Sequence, residues 1–148
     1  MGRRLRRPRV TMTEDGLYVM AYTSWNRKVA RLCIATSHDL VKWEKHGPAF
    51  AKAYNGRFKD IFCKSGSMVT TIKDGKQVLT KIDGKYFMYW GEHAVYAATS
   101  DDLVNWTPIL DEKNELATVI KPVPNIRQRL DRVWSSRYPD RQRYRLAL

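Results

Sequence analysis

The sequence predicts an all-β protein that contains two copies of one four-stranded antiparallel sheet. The prediction depends on an internal repeat and on the turn signals within it. An Asp-Gly pair, an aromatic strand and an Ala-Thr-Ser-x-Asp-Leu-Val-x-Trp motif occur in the same order in residues 15–43 and again in residues 83–106. The Asp-Gly pairs are 68 residues apart, and the serines of the second motif are 63 residues apart. Repeats of this length, with several strands per copy, are typical of β-propellers, whose blades are four-stranded sheets.

The elements of each copy follow from its residues. Asp-Gly favours the positive φ angles of a hairpin turn, and the aromatic and β-branched residues after it favour a strand. Second strands are predicted at 29–36 and 94–99. Ser-x-Asp-Leu predicts a turn in which short side chains bond the backbone, with at most one turn of helix there. Trp43 and Trp106 are predicted to pack between sheets, with stacking on a sugar as the alternative.

The segment between the copies predicts one further hairpin. Residues 64–72 resemble a loop that enters a strand, Asp74-Gly75 is another tight turn, and residues 76–82 form the partner strand. A meander of this kind suits a propeller or a sandwich, and the long repeat favours about two propeller blades.

The net charge of +12 is concentrated at the two ends of the chain. Residues 1–9 and 126–148 each contribute +5, whereas residues 10–125 contribute only +2. The ends hold twelve arginines and no lysine, while the middle holds twelve lysines and three arginines. We therefore interpret 10–125 as a partial propeller domain and both ends as basic tails translated out of frame. A neighbouring frame of a back-translated 127–148 reads a peptide with strand residues and an Asn-Gly turn, which the visible tail lacks.

Several classes of protein are disfavoured by the composition. No apolar run approaches the about 18 residues of a membrane span, and no secretory signal follows the basic start, so we expect a cytoplasmic protein with no membrane partner. Arginine tails suit nucleic acid, but the interior has no nucleic-acid motif, and we expect no nucleic-acid partner. Cys33 and Cys63 are too few for a disulfide framework and fit no zinc pattern. They are expected to be buried thiols, and no metal cluster is visible.

An ordered set of short motifs carries a resemblance to a known family. The set is Pro8-Arg9-Val10, Tyr22-Thr23-Ser24-Trp25-Asn26-Arg27, Ala30-Arg31-Leu32-Cys33-Ile34-Ala35-Thr36-Ser37, Lys45-His46-Gly47-Pro48-Ala49-Phe50, Lys64-Ser65-Gly66-Ser67, Lys81-Ile82-Asp83-Gly84-Lys85-Tyr86 and Met88-Tyr89-Trp90-Gly91-Glu92-His93. Together these motifs resemble the mannoside phosphorylases of glycoside hydrolase family 130, especially the branch that acts on mannosyl-glucose. The resemblance covers residues 8 to about 125, about a third of a full-length member. It implies a five-bladed propeller that uses phosphate to cleave β-1,4-mannosyl-glucose with inversion. Inorganic phosphate is a co-substrate, and no cofactor is implied.

The resemblance also predicts that the catalytic acid is missing. In the family this acid is the Asp of an Asp-Pro-Arg motif, and the matching residues here are Arg7-Pro8-Arg9. Arginine does not release its proton near neutral pH, so the chain is expected to be inactive. A shifted frame of Leu5-Arg6-Arg7-Pro8 can read Cys-Val-Asp-Pro, which would restore the acid. Arg9 is expected to brace the loop of the missing acid, and Glu92 and Asp101 are expected to be turn residues and not sugar ligands.

The phosphate and sugar site is expected to use Asn26, Arg27, Lys64 and His93. Arginine grips two phosphate oxygens at once, lysine supplies a point charge, and histidine adds a donor. Each residue has a plainer alternative: a turn residue for Asn26, surface bases for Arg27 and Lys64, and a structural histidine for His93.

Two other functions stay open at this stage. The chain is interpreted alternatively as a non-catalytic carbohydrate-binding fragment or as a fragment of a propeller glycoside hydrolase. In each case about two blades cannot close a propeller, so blade faces meant for neighbours are expected to be exposed and to favour self-association.

Overall fold

The computed structural model describes residues 6–120, with the side chains of Arg6 and Arg7 left out. The predicted tails therefore fall mostly outside the described residues, although the first strand begins at Arg6, inside the segment assigned to the N-terminal tail. A 3-10 turn, Ala53–Gly56, is the sole helical segment between residues 6 and 120. The strands are β1 (Arg6–Met12), β2 (Tyr18–Trp25), β3 (Ala30–Ser37), β4 (Glu44–Pro48), β5 (Ser65–Met68), β6 (Thr70–Lys73), β7 (Lys76–Leu79), β8 (Lys81–Ile82), β9 (Lys85–Gly91), β10 (Val95–Ser100), β11 (Thr107–Pro108) and β12 (Thr118–Ile120).

The first sheet contains the first copy of the repeat. Strands β1 to β4 form a four-stranded antiparallel meander, in which β2 and β3 pair without interruption from Tyr18–Ser37 to Trp25–Ala30. The hairpin of β6 and β7 extends this sheet on the β1 side, through a single parallel pair between Met12 and Val78. The predicted strand at 76–82 is thus divided, because β7 joins the first sheet while β8 pairs with β9 in the second.

The second sheet contains the second copy of the repeat. Its strand order is β11-β10-β9-β5, and two short strands pair with the central ones, β8 with β9 and β12 with β10. The prediction of an all-β fold with two four-stranded antiparallel blades is confirmed. No helix in the described part of the chain is long and apolar enough to cross a membrane.

The Ser-x-Asp-Leu turn has the same geometry in both copies. In the second copy the Ser100 hydroxyl accepts a hydrogen bond from the Leu103 amide at 2.9 Å, and Leu103 has a φ of 65°. Partial burial alone would raise the pKa of Asp102, but its hydrogen bonds with the backbone and side chain of Asn105 and the amide of Val104 outweigh burial and lower this pKa to about 2. The turn is a left-handed bend and not a turn of helix, because the serine and aspartate side chains capture the amides that a helix would use.

The two tryptophans after these turns occupy different environments. Each indole Nε1 donates to the carbonyl of the preceding left-handed leucine, at 3.1 Å for Trp43 and 2.9 Å for Trp106. Trp106 is 1% exposed and lies in the core between the two sheets. Trp43 is partly exposed and packs on the opposite face of the first sheet. Trp106 therefore has the predicted packing role between sheets, whereas Trp43 packs on the far face of the first sheet and not between the two described sheets.

The core lies between the two sheets and uses one side of each. Val19 and Ala21 of β2 point toward the second sheet, whereas Met20 and Tyr22 point away from it into a separate cluster. This division follows from the alternation of side chains along a strand. In the second sheet, Gly66 of β5 leaves space for the side chain of Leu32, which belongs to the first sheet.

Candidate functional site

The ends of five strands meet at one edge of the two sheets, which we call the upper edge. In the first sheet β1 begins there, β2 ends there and β3 begins there, as the Arg6–Thr23 and Trp25–Ala30 pairs show. In the second sheet β5 begins opposite the end of β9, through the Ser65–Gly91 pair. The amide of Cys63 donates to the carbonyl of Ala30 at 2.9 Å, which connects the two sheets at this edge.

The upper edge collects all the residues predicted for the phosphate and sugar site. Asn26 and Arg27 lie in the loop between β2 and β3, Lys64 immediately precedes β5, and His93 lies in the loop between β9 and β10. Residue 7 lies near the start of β1, so the position expected for the catalytic acid is also at this edge. The backbone arrangement therefore brings together residues that are up to 86 positions apart in the sequence.

Lys64 is the best-supported side chain of this group. Its carbonyl accepts a 2.6 Å hydrogen bond from the hydroxyl of the buried Thr23, which belongs to the first sheet. Its Nζ atom lies 3.0 Å from Oε1 of Glu92 and 4.8 Å from the centre of the Phe62 ring. The first sheet thus fixes the backbone of Lys64, while Glu92 of the second sheet fixes its ammonium group and partly neutralises it. A partly buried ammonium group in a fixed position is the kind of donor that an anion site requires.

Asn26 has the role of a turn residue, the plainer of the two roles predicted for it. Its side-chain oxygen accepts hydrogen bonds from the amides of Lys28 at 3.0 Å and Val29 at 2.8 Å, which shapes the hairpin loop. The exposed Arg27 at the tip of this loop has a φ of 74°. The structure therefore gives Asn26 a turn-forming role and places the guanidinium group of Arg27 on the loop that it shapes.

His93 is exposed in a loop whose shape depends on a glycine. Gly91 has a φ of 145°, and a Cβ atom added there would meet the carbonyl oxygen of Ala94. Only glycine fits this close approach of backbone to backbone. The loop also carries Glu92, which was expected to be a simple turn residue but forms the ion pair with Lys64. Asp101 lies elsewhere, in an ion pair with Lys85 at 2.8 Å.

Sequence reasoning did not single out Thr23 or the pair of Arg31 and Asp60. Arg31, at the start of β3, lies 2.7 Å from Asp60, and its Nε atom is buried without a hydrogen-bond partner among the described residues. Thr23 and Arg31 both fall inside the motifs that carry the family resemblance. However, a threonine in a strand and an arginine beside a loop have no local signal that distinguishes them from structural residues.

Arg9 contributes to a polar cleft beside β1 and β5. The cleft has a volume of about 330 Å³ and is lined by Arg9, Thr11, Ser67, Thr70 and Gln77 together with apolar neighbours. Its walls are the first strands of the two blades and the β6–β7 hairpin. The described contacts place Arg9 on this cleft, and the bracing role expected for it stays a prediction.

The two cysteines are free and buried, as predicted. Burial raises the pKa of the Cys63 thiol, whose Sγ donates to the carbonyl of Ser65 at 3.2 Å. Among residues 6–120 no group of three or more His, Cys, Asp or Glu side chains is arranged to hold a metal ion.

Comparison with known proteins identifies the family. A family model described as beta-1,4-mannooligosaccharide phosphorylase matches residues 5–127. The chain belongs to glycoside hydrolase family 130. A 1,2-beta-oligomannan phosphorylase of Thermoanaerobacter sp. (strain X514) is 32% identical over 127 residues, which is 83% of this chain and 34% of that relative.

Solved structures of family 130 relatives agree with this assignment. A protein of Bacteroides thetaiotaomicron VPI-5482 is 66% identical with a TM-score of 0.79, over 80% of this chain and 34% of the other. A structure from work on family 130 hydrolases that target β-1,2 mannosidic linkages in Candida mannan is 58% identical with a TM-score of 0.79, over 80% and 33%. The family 130 chain thus spans about a third of the length of these relatives, and its two sheets are part of a five-bladed propeller.

Proposed function

We propose that the upper edge is the phosphate-facing part of a mannoside phosphorylase site. The observation that carries the proposal is the placement of Lys64, whose ammonium group is held at the edge where Arg27, His93 and residue 7 also lie. Lys64, Arg27 and His93 can each be cationic at this edge. They suit a dianionic co-substrate, since arginine, lysine and histidine each bind phosphate oxygens.

The reaction that we assign to this site is the phosphorolysis of β-1,4-mannosyl-glucose. An oxygen of inorganic phosphate attacks the anomeric carbon of the mannose, the bond from that carbon to the glycosidic oxygen breaks, and a carboxylic acid gives its proton to that oxygen. The products are α-mannose 1-phosphate and glucose. Because phosphate is itself the nucleophile, one protein carboxyl group replaces the two that an inverting hydrolase needs. No further cofactor enters this scheme.

We further propose that the chain is inactive as it stands. Residue 7, where the family has the proton donor, is an arginine, which stays protonated at every physiological pH. The described part of the chain therefore supports binding of a mannoside or phosphate without turnover. The two free buried thiols are consistent with the reducing cytoplasm that we propose as its location.

A second candidate is a hydrolase fragment that acts on β-1,2-linked mannose. The 58% identity to a structure from work on hydrolases of such linkages favours this candidate. The relative described as a 1,2-beta-oligomannan phosphorylase supports the β-1,2 linkage but not hydrolysis. A third candidate, binding of carbohydrate without catalysis, is favoured by Trp25, which ends β2 at the upper edge with half of its surface exposed. An exposed indole offers a flat apolar surface for a sugar ring.

A reverse phosphorolysis assay tests these proposals. The purified chain is incubated with α-mannose 1-phosphate and glucose, and the release of phosphate is measured beside the protein that is made when both reading frames are restored and translation continues to the full length of the relatives. We expect no release by the chain and release by the restored protein. Phosphate release by the chain itself would refute its inactivity. A restored protein that hydrolyses β-1,2-mannobiose but releases no phosphate would replace the phosphorylase with the hydrolase.

A further inference from the structure

The internal repeat predicts which face of the second sheet is built for a neighbour. The repeat matches each residue of β2 to the residue of β9 that lies 68 positions later, and each residue of β3 to the residue of β10 that lies 63 positions later. In the first sheet, four side chains of these strands are buried in the core against the second sheet, namely Val19, Ala21, Leu32 and Ile34. Their counterparts in the second sheet are Phe87, Tyr89, Val95 and Ala97.

These counterparts lie on the side of the second sheet that faces away from the first. Met88, Trp90 and Ala98 belong to the core between the sheets, and side chains alternate along a strand, so their sequence neighbours point outward. Two isoleucines from the adjoining segments extend the same face, because the amide of Ile109 donates to the carbonyl of Ala97 and Ile120 pairs with Val95. We call these six residues the outer face: Phe87, Tyr89, Val95, Ala97, Ile109 and Ile120.

The six side chains of the outer face are apolar and carry no formal charge, and all but Ala97, which is 6% exposed, are partly exposed. Lys85, two residues before Phe87, lies at the margin of this face, where its charge is paired with Asp101. Tyr89 at the centre of the face is 46% exposed, and Ile120 is 60% exposed. Ser67, opposite Tyr89 in the β5–β9 pair, adds a neutral hydroxyl. The chain as a whole carries a net charge of +12, which repels other copies in general, but none of the six side chains contributes to that charge. Contiguous apolar surface of this kind marks an interaction site.

We propose that the outer face is a self-association surface, through which two copies of this chain pair face to face about a twofold axis. In the first sheet the outer-face counterparts are covered by the inner side of the next blade, so the repeat itself shows that a sheet is the fitting occupant. The corresponding inner side of this chain's own first blade, formed by Met20, Tyr22, Cys33 and Ala35, is only 0–7% exposed and cannot receive a second copy. The outer face of another copy is therefore the available apolar sheet surface, and a twofold contact closes without forming fibres.

The size of the face sets the expected strength of the dimer. Two aromatic side chains bury about 150–250 Å² each at most, and the four smaller residues are already partly covered, so the contact is smaller than the about 800 Å² per partner of a standard interface. We therefore expect a weak dimer, with a dissociation constant of about 1 µM or higher. This inference depends on the repeat and the described surface and not on the proposed catalytic function.

Sedimentation velocity of the full chain over about 1–100 µM tests the proposal. The wild-type chain should shift from monomer to dimer as its concentration rises, and Tyr89→Lys, which places a charge at the centre of the face, should remain a monomer. Ser67→Arg should act in the same way from the neighbouring strand. Val41→Lys is the matched control, because Val41 is 80% exposed but lies on the turn after β3, and this variant should dimerise like the wild type.

Three results would overturn the proposal. The first is a wild-type chain that stays monomeric at the highest concentration. The second is a Tyr89→Lys and a Ser67→Arg variant that, with native circular dichroism, associate as strongly as the wild type. The third is growth of the wild-type chain beyond the dimer, which would indicate head-to-tail stacking of blades in place of a twofold contact.

Discussion

Gly66→Ala is expected to destabilise the chain by overpacking the core between the two sheets. A Cβ atom added to Gly66 would lie 2.6 Å from Cδ2 and 3.1 Å from Cδ1 of Leu32, and 3.0 Å from the sulfur of Met88. Leu32 and Met88 are buried, so neither side chain has solvent into which it can move. The backbone of Gly66 does not have a positive φ, and alanine fits its conformation. The cost is therefore one of volume, about 1–3 kcal/mol of unfolding free energy.

A double-mutant cycle with Leu32→Ala separates this steric cause from a general loss of strand stability. Leu32→Ala alone leaves a cavity and should cost about 2–5 kcal/mol. In the double variant the new methyl group enters the space that Leu32 has left, so the combined loss should be smaller than the sum by about 1 kcal/mol or more. Ser67→Ala, at an exposed position of the same strand, is the control and should stay within about 0.5 kcal/mol of the wild type.

Urea denaturation followed by tryptophan fluorescence measures these differences, and the Tyr89→Lys background keeps self-association out of the analysis. The chain has five tryptophans, and Trp90 and Trp106 belong to the affected core. A Gly66→Ala variant as stable as the wild type would refute the steric argument. Strict additivity with Leu32→Ala would refute it as well, since it would show that the two positions do not share one space.

Three further predictions follow from the turns and from the site. The pKa of Asp102 in the folded chain, about 2, lies below its ordinary value of 3.8, so its stabilising effect is present above pH 4 and is lost as the pH falls toward 2. Asp102→Asn should therefore lose less stability than the wild type over that range in thermal melts. An equal fall of melting temperature with pH in both proteins would contradict this. Trp106→Phe should destabilise the chain by about 1–3 kcal/mol, because it leaves the buried carbonyl of Leu103 without its donor. Trp43→Phe, at the partly exposed position, should cost less. The reverse order in urea denaturation would contradict the assigned environments. Glu92→Gln should strengthen the binding of inorganic phosphate about five-fold, because the variant releases the charge of Lys64 from an ion pair worth about 1 kcal/mol. Titration calorimetry measures this affinity, with Lys64→Met as the non-binding control. A Glu92→Gln variant that binds phosphate no better than the wild type would count against the site.

Much of the fold is encoded locally and is predictable for that reason. The Asp83-Gly84 pair adopts φ angles of 49° and 80°, and the Asp74-Gly75 pair adopts 51° and 75°, as two-residue hairpin turns require. The serine and aspartate of each Ser-x-Asp-Leu turn bond the amides that follow them within three residues. Information of this kind lies in the side chains of consecutive residues. Both copies reproduce the serine turn, whereas in the Asp15-Gly16 pair of the first copy only Gly16 has a positive φ, 88°, within a longer loop between Met12 and Tyr18.

The parts that were not predicted depend on contacts between distant residues. The β6–β7 hairpin joins the first sheet through Met12 and Val78, and no local pattern specifies which sheet a free hairpin edge will meet. The left-handed conformation of Leu40 and Leu103 was not predicted, because the residues around them are equally compatible with one turn of helix. Thr23 supports the site through a hydroxyl on a strand residue that is otherwise typical of any half-buried sheet.

The support of Lys64 is independent of residue 7, where the family resemblance predicts the catalytic acid. The Thr23 hydroxyl that holds its carbonyl belongs to β2, and the Glu92 carboxylate that holds its ammonium group follows β9. Residue 7 belongs to β1, and neither contact includes it. An arginine in place of the expected aspartate at that position therefore leaves the contacts that hold the lysine unchanged. In the function that we propose, loss of turnover and loss of anion binding are thus separable, because the contacts that hold Lys64 do not include residue 7.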